Sequence, residues 1–274
     1  MDSTQVQLTV GLPLYRAGAI AWLALESLCR QVGVEFYWEL LVAEEQSAPR
    51  LAWSGLAPYV ERLRRVNCID VRYVPLSEWI PLAKKWRLLG QRAVPSSRVF
   101  VLQAADCYSP PHRLERTMEL FRSEGADWVQ SHTHVLYNLS DGKHVLYRRP
   151  TDRMPVGAQM ALRTDLARQL PESNQTAGID HWFFRSCEAN VKAKEGRAMR
   201  IVWNETDDWR YGLNVNGLNN ISERSKLFAL KFPGCLEDPC KELSEYIPGD
   251  VLARLEGCRP ALKGWRRRAW SASP

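Results

Sequence analysis

The chain has no apolar run near the roughly 20 residues that a membrane-crossing helix needs. Its longest, "RVFVLQAA" and "ELLVAEE", have the length of buried strands. It has no C-x-x-C pair, and its seven cysteines are an odd number. That argues against both a zinc ribbon and a secreted disulfide framework, so the thiols are expected to be reduced; Cys235, Cys240 and Cys258 form a cluster that would need a fourth ligand from elsewhere to hold a metal. The opening "MDSTQ" lacks a basic-then-apolar leader, so a cytoplasmic location is expected. No G-x-G-x-x-G follows the first apolar stretch, which removes the dinucleotide fingerprint, and there is no internal repeat.

What is present is enough apolar sequence for a large core: 274 residues, 45% of them hydrophobic. The formal net charge of +6 favours an anionic partner such as a nucleotide, a nucleic acid or an anionic lipid surface. The cations are concentrated in two places. Residues 79–105 contain Lys84, Lys85, Arg87, Arg92 and Arg98 and no acid, and the tail reads "KGWRRRAWSASP".

Hydrophobic periodicity predicts a strand at "VQLTVGLPL", a helix through "AIAWLALESLCRQ", a strand at "YWELLVAEE", a helix at "LAPYVERLRRV" and a strand at "IDVRYVPL". A basic helix "LAKKWRLLGQRAV", the strand "RVFVLQAAD" and the helix "SPPHRLERTMELFRSEG" follow. Alternation of this kind implies right-handed crossovers and a mostly parallel α/β sheet flanked by helices. Ligands of such sheets collect at the carboxyl ends of strands, where Glu44, Glu45 and Asp106 fall. Later, "ADWVQSHTHVLYN" and "HVLYRRP" read as a hairpin around "LSDGK", and "TDLARQLPE", "IDHWFFRSCEAN", "ISERSKLFALK" and "DVLARLEG" read as helical. A main domain over 1–222 and a C-terminal helical extension with a basic tail over 223–274 are expected.

The order of these segments resembles the GT-A fold glycosyltransferases, in particular the inverting family 2. The carrying stretches are "GLPLYRAGAIAWLALESLCRQ", "LLVAEEQS", "KKWRLLGQRA", "LQAADCYSPPHRLE", "VGAQMALRTDL" and "GIDHWFFR", in that order over about residues 5–222. The resemblance implies a GT-A, Rossmann-like nucleotide-diphospho-sugar transferase fold. It also implies transfer of a sugar from a nucleotide diphosphate donor, UDP-linked by expectation, to a hydroxyl acceptor.

It implies roles as well. Leu12, Pro13 and Tyr15 would wall the nucleobase, and Glu44 or Glu45 would accept hydrogen bonds from base or ribose. Lys84, Lys85 and Arg87 would face the phosphates, joined by Arg210, Asn214 or Asn216 from the segment "DDWRYGLNVNGLNNIS". Asp106 would ligate a divalent metal, manganese or magnesium, weakly bound because the family's preceding acid is replaced by Ala104 and a common following acid by Cys107. Asp180 would be the catalytic base, with His181 beside it as the alternative. His132 and His134 alternate along one predicted strand, a spacing open to metal or to a cleft border. The acceptor is expected to be a modified DNA base, an anionic glycan or a lipid-linked molecule. The reduced metal motif keeps a second reading open, an inactive GT-A domain that binds nucleotide or nucleic acid.

Overall fold

Strand β1 (Leu8–Leu14) is buried at every position, and the rest of the fold is arranged around it. The computed structural model describes residues 5–46, 50–131, 133–138, 142, 144–148, 159–175, 179–204, 212–216, 236–237 and 242–258. After β1 come α1 (Trp22–Cys29), β2 (Trp38–Glu45), α2 (Ala52–Arg64), β3 (Cys68–Leu76), α3 (Leu82–Arg92), β4 (Val99–Leu102), β5 (Cys107–Tyr108) and α4 (Arg113–Glu124). The second half supplies β6 (Trp128–Ser131), β7 (Thr133–Asn138), β8 (His144–Arg148), β9 (Met160–Arg163), α5 (Thr164–Arg168), α6 (Ile179–Glu195), β10 (Ile201–Asn204), β11 (Gly212–Asn216) and β12 (Leu236–Glu237). A short 3-10 turn, Leu243–Glu245, leads into a last helix, α7, over 249–258.

Seven strands form the central sheet in the order β10-β6-β9-β4-β1-β2-β3. β1 pairs in parallel with both β2 and β4, so the chain builds outward through β2 and β3 and then returns to the other side of β1. The crevice at that reversal lies between the ends of β1 and β4. The one departure from parallel order is β9, which runs antiparallel between β4 and β6. A smaller sheet of five strands, β12-β8-β7-β11-β5, stands beside the first.

Strand alternation divides the apolar residues between two layers. Leu8, Val10, Leu12, Leu40 and Val42 face α1, α2 and α4, whereas Leu41, Ala43, Phe100 and Leu102 face α3, α5 and α6. Residues 243–258 add Leu243, Tyr246, Ile247, Val251 and Leu255 to the first layer. Arg30 pairs with Asp250, and the Arg254 guanidinium sits 4.1 Å from the centre of the Trp22 ring. This part of the C-terminal extension therefore shares the domain's core.

The predicted hairpin is present as β7 and β8, antiparallel with Tyr137 opposite His144. "ADWVQSHTHVLYN", read as one strand, is instead two. β6 buries Trp128 and Val129 in the large sheet, and β7 buries Val135, Leu136 and Tyr137 beneath the small one. The helix expected at "ISERSKLFALK" lies outside the described residues.

Gly90 shows how tightly the second layer is packed. A Cβ there would stand 2.5 Å from the backbone oxygen of Ala167 in α5. Ala favours a helix by about 1 kcal/mol over Gly, but here the neighbour is helix backbone and cannot swing aside. Gly90→Ala is expected to lose about 1–2 kcal/mol net, as overpacked cores do, read as a lower midpoint in urea unfolding.

Candidate functional site

The site is built at the carboxyl ends of β1, β2 and β4. In register, Leu14 lies opposite Glu44 and Gly11 opposite Leu102, so the loops that leave these strands are neighbours. Leu12 is directed into the core and Pro13 is buried in the strand. Tyr15 is the part of the predicted wall that reaches solvent, 37% exposed. The Arg16 guanidinium and the Lys85 ammonium each lie 5.4 Å from the centre of its ring.

The two adjacent glutamates have different environments, because successive strand residues point to opposite faces. Glu44 turns toward α2, where Oε1 accepts the Leu51 N–H at 2.6 Å and Oε2 accepts the Ala52 N–H at 2.9 Å. The Tyr73 hydroxyl donates to the same Oε2 at 2.8 Å. Burial, with Glu44 next, pushes that phenol up to about 12. Glu44 is thus a cap for the start of α2, its carboxylate already engaged by three donors.

Glu45 turns to the other face and forms an ion pair with Lys85, each side chain 2% exposed. Lys85 Nζ also donates to the Leu14 carbonyl at 2.7 Å, tying α3 to the end of β1. Burial lowers the Lys85 pKa, and the Glu45 carboxylate opposes that shift. Among the described residues, no hydrogen bond of good geometry reaches either Glu45 oxygen. Both Glu45 oxygens are closed to solvent, so the pair it forms with Lys85 is a buried support beneath Tyr15. Lys84 is partly buried on α3, and Arg87 makes a loose contact with Glu172 at 3.7 Å.

Beyond β4 the chain makes a tight turn, with the Cys107 N–H donating to the Ala104 carbonyl at 3.3 Å. Asp106 stands in this turn, half-buried. Removal of its carboxyl group from water raises the pKa to about 6, against the stabilising influence of its own backbone N–H and the Cys107 thiol. Cys107 Sγ donates to Asp106 Oδ1 at 3.7 Å. Its own pKa is driven far up by burial, then by the Asp106 carboxylate, with a further contribution from Asp180. Asp180 opens α6, whose Phe183 and Phe184 lock edge-on against Trp128. Asp106 thus adjoins the Cys107 thiol directly, while Asp180, from the other half of the chain, adds only to its upward shift. His181, the neighbour of Asp180, is exposed.

β11 closes the same corner. Leu213 and Asn214 pair with Tyr108 and Cys107, and the Val215 N–H donates to the Asp106 carbonyl at 2.9 Å. Asn214 and Asn216 are therefore on a strand held against the Asp106 turn. Arg210 and His132 lie outside the described residues, and His134 is placed only by its register opposite Gly212.

The donor set defines what metal this corner can take. Among the described residues, Asp106 is the carboxylate in the turn after β4, whereas Glu44 and Glu45 at the end of β2 are engaged by α2 and by Lys85. Ala104 offers only a carbonyl already engaged by Cys107, and among the described residues no group of three or more His, Cys, Asp and Glu gathers as a cation site. Such a set fits a magnesium or manganese ion that arrives with phosphate oxygens and takes one protein carboxylate.

No protein-family model matches the sequence, and no curated protein matches it. Comparison with solved structures finds S. aureus TarS 1–349 in complex with UDP-GlcNAc, at TM-score 0.60 and 12% identity, over 98% of this chain and 74% of that one. The mannosyltransferase PcManGT from Pyrobaculum calidifontis, in complex with GDP-Man and Mn2+, aligns at TM-score 0.54 and 14% identity, over 100% of this chain and 78% of that one. Against the longer S. aureus TarS chain the overlap is 77% of this chain and 37% of that one, at TM-score 0.58 and 13% identity. The fold is GT-A, an α/β sheet flanked by helices.

Proposed function

We propose that the protein is a glycosyltransferase that moves a sugar from a nucleotide diphosphate, UDP by preference, to a hydroxyl acceptor with inversion. The observation that carries this reading is the turn of Asp106, which follows β4 at the strand-end corner of a GT-A fold and is closed by β11. Neighbours of the same fold in complex with UDP-GlcNAc and with GDP-Man and Mn2+ support it.

In this reading Tyr15 packs on the nucleobase, supported from beneath by the Glu45–Lys85 pair, while Lys84 and Arg87 face the diphosphate. Asp106 holds a magnesium or manganese ion brought in with the nucleotide; when bound, the ion neutralises charge on the leaving diphosphate. Asp180 takes the proton of the acceptor hydroxyl as it attacks from the face away from the diphosphate. Residues 1–222 carry the site, and 223–274 extend it with a basic tail suited to an anionic acceptor, a DNA base, a glycan or a lipid-linked molecule. A DNA acceptor would show affinity that falls steeply with salt. A cytoplasmic location belongs to this reading; among the described residues no helix is long and apolar enough to cross a membrane.

Manganese is expected to tighten UDP binding by roughly 10–100-fold over EDTA in the parent protein, and Asp106→Ala is expected to erase that difference, both by calorimetry. Equal UDP affinity with and without manganese removes the metal from this reading. Ala104 favours a second reading, an inactive nucleotide-binding domain. A nucleotide-sugar panel followed by mass spectrometry separates the two: transfer or donor hydrolysis establishes the enzyme, and binding without either establishes the module.

A further inference from the structure

Arg113, the first residue of α4, is 3% exposed and yet contacts no carboxylate among the described residues. Its guanidinium donates through Nη1 to Gln103 Oε1 at 2.6 Å and Ser109 Oγ at 2.8 Å. Through Nη2 it donates to the Leu102 carbonyl at 2.7 Å and the Met160 carbonyl at 3.4 Å. Burial draws its pKa down to about 10, so it remains a cation at neutral pH. A buried charge surrounded by neutral oxygens is costly, and an apolar side chain would fill the same space without that penalty.

The positions of those four oxygens explain the residue. The β4–β9 ladder ends at Val101 opposite Ala161, so Leu102 and Met160 are the next carbonyls, just where the strands part. The planar fork of Arg113 bridges that opening, as an ammonium or an amide could not. It also fixes the orientation of Gln103. Because Oε1 receives Arg113 and Ser109, Nε2 is left to donate, and it does so to the Ala104 carbonyl at 3.0 Å and the Cys107 carbonyl at 2.8 Å. Those carbonyls are the two ends of the turn that carries Asp106.

We propose that Arg113 is a positioning residue: acting through the Gln103 amide, it clamps both ends of the Ala104–Cys107 turn and so sets where the Asp106 carboxylate stands. The proposal rests on the reading of Asp106 as the carboxylate that meets the donor diphosphate. It accounts for how a turn that carries one acid can be precise, since that acid is held by a turn pinned at both ends.

The diagnostic variant is Gln103→Glu. Its carboxylate still accepts from Arg113 and Ser109, and gains an ion pair, but it can donate nothing to Ala104 and Cys107. The variant is expected to keep its metal-free UDP affinity, with a small drop in melting temperature because the new ion pair with Arg113 offsets part of the two lost hydrogen bonds. The manganese-dependent gain in UDP affinity should fall by roughly 10–100-fold, as it does when a ligand loses its supporting partner. If the parent needs no metal, the same effect is read as a lower kcat at unchanged donor KM. Arg113→Lys should give the same split in milder form.

Hydrogen exchange supplies a readout that needs neither donor nor activity. Peptides covering residues 103–109 should exchange faster in Gln103→Glu, with peptides elsewhere unchanged. Parent-like exchange over 103–109 in Gln103→Glu overturns the clamp, and so does a variant with full manganese-dependent affinity and full kcat. A variant that loses melting temperature and metal-free affinity together assigns Gln103 to stability alone, and also overturns it. A parent that neither transfers sugar nor binds UDP defeats the functional reading, while the exchange experiment still decides the clamp.

Discussion

Asp180→Asn is expected to reduce sugar transfer by roughly 10²–10⁴-fold, the range that general-base catalysis contributes, with UDP affinity within about twofold of the parent. The substitution keeps the size of the side chain and its ability to accept a hydrogen bond at the start of α6, and removes only its capacity to take a proton. The helix has little freedom to adjust. Ile179, Phe183, Phe184, Cys187 and Val191 are buried along one side, and Trp128 meets both phenylalanines edge-on at ring-centre distances of 5.9 and 5.4 Å. A change in turnover would then report chemistry and not displacement of the helix. Single-turnover rates on a working donor and acceptor pair, with calorimetry for UDP, measure the two quantities separately. Unchanged turnover would transfer the base to another group, with the exposed His181 the first to test. A parallel loss of UDP affinity would place Asp180 in donor binding instead.

Much of this corner was legible in the sequence because its parts are local. A strand that ends in acids, a turn after "FVLQAAD" and an acid opening a helix are each read from a few adjacent residues, and the alternation of strands and helices says that the strand ends meet. What could not be read is which of two neighbouring residues faces the site. Glu44 and Glu45 are equivalent in the chain, and only the pleat, with α2 on one side and α3 on the other, makes the first a helix cap and the second a partner of Lys85. Lys84 and Lys85 are separated in the same way by the turn of α3.

The antiparallel strand β9 was hidden for another reason. Its four residues carry no direction in their hydrophobic pattern, and direction is fixed by pairing with β4 and β6. Gln103 did leave a trace, a polar residue in the buried run "VFVLQAA", but its partner Arg113 belongs to a later helix and is found only in three dimensions.

The larger stability effect is expected at Lys85. Replacing it with Met strands Glu45, 2% exposed, without its cation and removes the donor to the Leu14 carbonyl. Breaking one side of a buried ion pair costs roughly 3–5 kcal/mol, well beyond an exposed pair's contribution. Chemical unfolding of Lys85→Met should show that loss as a lower midpoint with an unchanged slope. The buried pair need not itself be a large source of stability, because both charges lose water on folding. Lys85→Met combined with Glu45→Met should therefore recover most of the loss, as replacement of a whole buried pair by apolar groups of similar volume is often near neutral. In the proposed reading the double variant should nonetheless bind UDP more weakly than the parent, since it lacks the ion pair that supports Tyr15. A double variant no more stable than Lys85→Met would show that the loss comes from the Leu14 carbonyl and the packing of α3 and not from a stranded Glu45 charge, and the Glu45→Met single variant completes the cycle that measures their coupling.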